Sequence, residues 1–182
     1  MSTSGSNYSL YLIKEPFKVT GGFYINGVFN SLVVVDGKNY RKRVEILVTQ
    51  GRKVFLAFKP GSKDYEIPGG SSERNIPDAV QVIHECQEEA GFTPKNIQYR
   101  LTHKVDYDEI VNKRPAWMNR LPILYDGVIN VIYTGEFDAP YYGRVDDVDR
   151  DDLIAHGNWY DISQVKNILK DQHRKALPCL RR

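Results

Sequence analysis

The spacing of apolar residues divides the chain into short β-like runs and two helical stretches. Tyr8 to Asp36 is rich in aromatic and β-branched residues, and Asn26-Gly27 between Phe23-Tyr24-Ile25 and the run from Val28 to Val35 predicts a hairpin. Beyond Asp36-Gly37, the runs Tyr40 to Thr49 and Val54 to Phe58, joined at Gly51-Arg52, predict two paired strands. Tyr65-Glu66-Ile67 reads as a short strand, and Ile97 to Asp106, Asp126 to Tyr133 and Asn158 to Ile162 as later ones. A helix is expected from Ile76 to Ala90. A second opens at Asp161, where Gln164 completes a capping-box-like start and Val165, Ile168 and Leu169 supply the apolar face. Strands around one long helix and a closing helix predict an α/β fold, with a mixed sheet between helical layers as an α/β/α sandwich. Residues 8–36 form an N-terminal β extension to it.

At about 100° per residue, Ala79, Val80, Ile83, Cys86 and Ala90 form an apolar stripe on the first helix, with Glu85, Glu88 and Glu89 roughly opposite. Like charges three and four residues apart repel by a few tenths of a kcal/mol per pair. A divalent cation reverses that sign, and oxygen ligands without clustered Cys or His favour Mg²⁺ or Mn²⁺. Pro68-Gly69-Gly70, just before the helix, lets backbone approach a ligand closely. Gly91 is placed to end the helix as a left-handed cap.

Composition narrows the setting. With 182 residues, 41% hydrophobic and 26% charged, the chain fits one globular domain with a sizeable core. Residues 37–182 form its main body and Met1 to Asn7 read as a loose polar tail without signal-peptide character. Cys86 and Cys179 lie far apart in sequence, which points to a reduced, cytoplasmic protein. No apolar run reaches membrane-spanning length. A net charge of +2 does not imply nucleic acid, although Arg41-Lys42-Arg43 is a local basic cluster whose simplest reading is a solvated strand end. The β extension either covers a sheet edge or serves a homodimer. No internal repeat, Rossmann or P-loop glycine motif, or zinc spacing is present.

In register from Gly70 to Phe92, the stretch resembles the Nudix box, G-x5-E-x7-R-E-U-x-E-E-x-G-U, through Gly70, Glu85, Cys86, Glu88, Glu89, Gly91 and Phe92. Ile76 and His84 stand where the family carries a glutamate and an arginine. The resemblance implies a Nudix hydrolase that cleaves the diphosphate linkage of a nucleoside diphosphate joined to another group. It also implies that Glu85, Glu88 and Glu89 bind the catalytic Mg²⁺ or Mn²⁺, that Gly69 lends a carbonyl, and that Glu73 assists. His84 is expected to orient a carboxylate by hydrogen bonding in place of the arginine.

Asp108 to Asn119 reads as a long loop, and such loops in compact domains are usually functional. With Tyr107, Trp117 and Tyr125 able to stack on a base, it is read as the substrate-recognition insertion, while burial of these rings is the competing account. The acidic run Asp146 to Asp152 resembles a late loop that supplies another carboxylate, with Asp151 and Asp152 the preferred pair. Tyr107 lies close to where dinucleoside-polyphosphate hydrolases tend to carry a tyrosine, and that resemblance tilts the substrate toward dinucleoside polyphosphates, with ADP-ribose, nucleoside triphosphates and related nucleotides retained. Two other readings stay open: a Nudix-fold nucleotide-binding module without turnover, and an RNA 5′-end hydrolase.

Overall fold

The computed structural model describes residues 17–25, 27–58, 65–73, 75–107, 125–140, 156–169 and 171–180. Its sheet is organised by one long strand, β3 (Lys38–Gln50), with β1 (Gly21–Ile25) and β2 (Val28–Val35) leading into it as an antiparallel meander. Gly27 turns β1 into β2 at φ 80°, and Asp36 and Gly37 turn β2 into β3 at φ 50° and 76°. Two successive residues at positive φ are what a two-residue primed turn requires, so the Asp-Gly pair sets the β2–β3 register at Val35↔Lys38. The extension is therefore continuous with the main sheet.

One edge of β3 is shared in turn by β2, by β6 (Gly69–Ser71) and by β4 (Lys53–Phe58). The other edge is taken by β8 (Gly127–Glu136), parallel to it from Tyr40↔Gly127 to Thr49↔Glu136. Outside these, β7 (Lys95–Asp106) pairs with β8, while β5 (Tyr65–Glu66) and β9 (His156–Asp161) pair with β4. The expected strands are present, within a few residues at their ends. β6 was not anticipated, because Gly-Gly-Ser has little strand preference of its own and its pairing is imposed by β3.

Alternation along β3 builds two cores. Val44, Ile46 and Val48 face α1 (Asp78–Ala90) and its Val82, Cys86 and Ala90, whereas Leu47 faces Val165 of α2 (Ile162–Ile168) with Leu169 and Ala176 beyond. Burying each such aliphatic side chain contributes roughly 1.5–3 kcal/mol. Phe92, just after α1, stacks on Phe137 at 4.4 Å and meets Phe55 edge-on at 5.1 Å, anchoring the helix end. Helical layers on both faces of a mixed sheet make this an α/β/α sandwich, as expected. The chain closes with α3 (Asp171–Arg174) and a 3₁₀ turn (Leu177–Leu180) on the α2 side. Among the described residues, no helix is long and apolar enough to cross a membrane.

Helix α1 departs from the expected face. It starts at Asp78, after Pro77 at φ −58° and ψ 141°, since proline suits the entry to a helix but the extended ψ stops it beginning at Ile76. Gly91 ends it at φ 72° with its N–H on the Gln87 carbonyl, as anticipated. Its buried residues are Asp78, Gln81, Val82, Cys86, Glu89 and Ala90, so the carboxylate side lies next to the apolar stripe and not opposite it. Val80 is only half-buried and Val82 is the helix's sealed valine. The helix straddles two surfaces: its apolar side rests on the sheet, and its acidic side meets a glycine strand that leaves room for carboxylates.

Candidate functional site

Pro68 to Ser72 is pinned along β3 by backbone bonds, Ile46 N–H to the Pro68 carbonyl at 3.0 Å and Ser72 N–H to the Lys42 carbonyl at 3.2 Å. Against this rigid strand, Gly69 N–H donates to Glu89 Oε2 at 3.0 Å. Glu89 is 4% exposed, so its charge is held by that bond where water does not reach freely. A Cβ on Gly70 would lie 2.3 Å from Glu85 Oε1, and Gln81 Nε2 donates to the same oxygen at 2.9 Å. Gly69 and Gly70 thus bring Glu85 and Glu89 together at one short strand. Glu88 and Glu73 are exposed nearby in sequence, and Ile76 is half-buried.

Among the described residues, no three His, Cys, Asp or Glu side chains are gathered closely enough to hold a metal ion. The donor chemistry nevertheless suits a hard divalent cation, because every candidate donor is an oxygen and Glu85 occupies space that only a glycine leaves free. Burial, then Glu89 and Glu85, push the Cys86 thiol well above its ordinary value, so it remains a neutral core residue and adds no soft ligand.

The start of α1 is fastened separately. Lys42 points to the α1 face, where its Nζ lies 2.8 Å from Asp78 Oδ2 and also donates to the Phe17 carbonyl. Ser72 Oγ donates to the other Asp78 oxygen at 3.4 Å. His84 is exposed on α1. The helical turn carries it away from Glu85 and Glu89, and the buried Lys42–Asp78 pair ties β3 to the helix.

On the other face of β3, Glu45 gathers the C-terminal segment. His173 Nδ1 lies 3.5 Å from its Oε2 and Lys175 Nζ 3.7 Å from its Oε1. In the orientation that satisfies both its ends, the Asn130 amide donates to Glu45 Oε1 at 3.1 Å and accepts from Lys175 Nζ at 2.8 Å. His173, Lys175 and Arg43 draw the Glu45 carboxyl down although burial opposes it, so it stays ionised. Neither this network nor the Lys42–Asp78 pair was found from the sequence. The parity of Lys42 with Val44 and Ile46 on β3 was the available signal for the pair.

The predicted aromatic residues separate. Tyr107 is half-buried at the end of β7, its N–H on the Asp126 carbonyl at 2.8 Å. Tyr125 is fully buried and stacks on Phe23 at 5.5 Å, which corrects the expectation of a ring open to a base. The N-terminal hairpin covers it, and burial pushes its hydroxyl up to about 12. Trp117, Asp151 and Asp152 lie outside the described residues.

No protein-family model matches the chain, and no curated protein matches it in sequence. Solved structures do match in shape. The Nudix domain of Shewanella oneidensis NrtR, solved with ADP-ribose, is 15% identical with a TM-score of 0.55 over 77% of this chain and 85% of that one. A MutT Nudix hydrolase from Burkholderia pseudomallei is 16% identical with a TM-score of 0.53 over 76% of this chain and 95% of that one. A Nudix hydrolase from Nitrosomonas europaea gives 13% and 0.53, over 78% and 86%. At such identities the likeness speaks for the fold and for nothing finer: the chain has the fold of the Nudix hydrolases.

Proposed function

We propose that the protein is a metal-dependent Nudix-type hydrolase that cleaves the diphosphate linkage of a nucleoside diphosphate joined to another group. The observation that carries this reading is the meeting of Glu85 and Glu89 with the side-chain-free Gly69-Gly70 strand. The box-like register from Gly70 to Phe92 and the fold support it.

Glu85, Glu88 and Glu89 are the residues that would hold Mg²⁺ or Mn²⁺, with the Gly69 carbonyl and Glu73 contributing from the preceding loop. When bound, the ion supplies neutralisation of phosphate oxygens and acidification of water. Gln81 and the Gly69 N–H orient Glu85 and Glu89 before any ligand arrives, the kind of support that fixes ligating carboxylates. Tyr107 and Trp117 are assigned to the base, while Tyr125 is buried in the core. The substrate class is a nucleotide such as a dinucleoside polyphosphate or ADP-ribose, the latter being the compound bound by the NrtR domain.

Ile76 and His84, the two departures from the box, favour a second reading, a nucleotide-binding module without turnover. The test is a screen of dinucleoside polyphosphates, ADP-ribose, nucleoside triphosphates and a capped oligoribonucleotide with Mg²⁺ and with Mn²⁺, products identified. Hydrolysis of a nucleotide at its diphosphate is expected. Binding without turnover across the screen selects the module, and cleavage confined to the oligoribonucleotide selects RNA ends.

A further inference from the structure

The basic cluster of β3 is split by the strand's alternation. Lys42 is sealed against Asp78, while Arg41 and Arg43 emerge together on the opposite face, with Glu45 next in line. Arg41 Nη2 donates to Ser71 Oγ at 3.1 Å, and its Nε is buried with no hydrogen-bond partner among the described residues. Arg43 sits opposite Ser71 in the β3–β6 register and opposite Asn130 in the β3–β8 register. Among the described residues it makes no ion pair.

These cations crowd one another. Burial and then Arg43 lower the Arg41 pKa, and Lys175 is lowered by burial and by Arg43 even though Glu45 pulls it up. The carboxylate beside them, Glu45, is already shared by Lys175, His173 and Asn130. Partly desolvated guanidinium groups with an unsatisfied N–H are costly without a counter-charge. Their planar forks match phosphate oxygens.

Position identifies the anion's place. Ser71, which braces Arg41, directly follows Gly70, against which Glu85 packs. Tyr107 also lies within electrostatic range of Arg41. Carboxylates from α1 and arginines from β3 therefore converge on the same three-residue strand, one set on each side.

We propose that Arg41 and Arg43 form a phosphate-binding arm for a nucleotide, Arg41 offering its Nε edge and Arg43 its guanidinium, with Ser71 holding Arg41 in place. Its ligand class rests on the nucleotide reading above, whereas the arm itself needs neither metal nor turnover.

The test is ADP binding by calorimetry in EDTA, so that metal ligation plays no part. Wild-type protein binds, and Arg41→Gln and Arg43→Gln each weaken ADP by about tenfold or more, the loss of roughly one charge-assisted contact set. Arg41→Lys, which keeps the charge and loses the fork, falls between. Lys166→Gln, which removes a charge from the exposed side of α2, leaves ADP binding in EDTA unchanged, and thermal unfolding shows that the arginine variants stay folded. No ADP binding by the wild type, or unchanged affinity in the Arg41→Gln/Arg43→Gln double variant, would overturn the proposal. If no nucleotide is hydrolysed while the arginine variants lose ADP, the hydrolase reading fails and the arm stands. Hydrolysis with unchanged KM in the double variant has the reverse meaning.

Discussion

The Lys42 ammonium stands 2.8 Å from the Asp78 carboxylate with the two side chains 0% and 1% exposed, joining the central strand to the first residue of the helix that carries the acidic cluster. Removing one partner strips this ion pair from a sealed charge. Lys42→Met should therefore destabilise the fold by about 3–5 kcal/mol, and Lys42→Met with Asp78→Leu should recover much of that loss. Urea unfolding checks it. A single variant within error of wild type would mean that the pair is not sealed as described.

Two adjacent glycines should answer differently to alanine. At Gly69 the new Cβ would meet the Val44 carbonyl at 2.5 Å, which is backbone and cannot step aside. Gly69→Ala should cost about 1–3 kcal/mol of stability. At Gly70 the obstacle is the mobile end of Glu85, so Gly70→Ala should cost only about 0.5–1.5 kcal/mol. It should instead weaken Mn²⁺ binding and slow turnover, because it moves a proposed metal ligand. Equal stability losses with unchanged Mn²⁺ affinity would remove Glu85 from the site.

Glu88 and Glu89 share a proposed role but not an environment. Glu88→Gln changes an exposed residue and should reduce turnover by orders of magnitude with little change in unfolding midpoint. Glu89→Gln also turns the acceptor of the Gly69 N–H neutral, so it should lower stability as well, by about 1 kcal/mol. Full hydrolysis in the double variant would show that these carboxylates are not the metal ligands.

Asp161 provides a pH test away from the site. Its carboxylate accepts from Ser163 N at 2.9 Å and from Ser163 Oγ at 2.6 Å, capping α2, and those bonds lower its pKa. A lowered folded pKa means that the contribution is complete above the unfolded value of about 3.9 and is lost as pH falls through the folded one. Asp161→Asn keeps a capping oxygen but cannot titrate. The stability gap between wild type and variant should shrink on acidification through that window, and parallel stability curves would refute it.

Much of the fold was legible because its signals are local. The Asp36-Gly37 turn, the Gly91 helix stop and the Asp161 cap each depend on the φ preference or side-chain reach of residues a few positions apart. The alternation of β3 likewise determined that Lys42 and Arg41 must face opposite ways. Which elements those faces would meet was a tertiary matter. Asp78 reaches Lys42 from the start of α1, His173 and Lys175 reach Glu45 from the far end of the chain, and Phe23 closes over Tyr125 from the N-terminal hairpin. The acidic cluster was plain in the sequence, yet its rotation onto Gly69-Gly70 was settled only by packing, since a helix's own period says which residues share a side and not which neighbour will lack a side chain there.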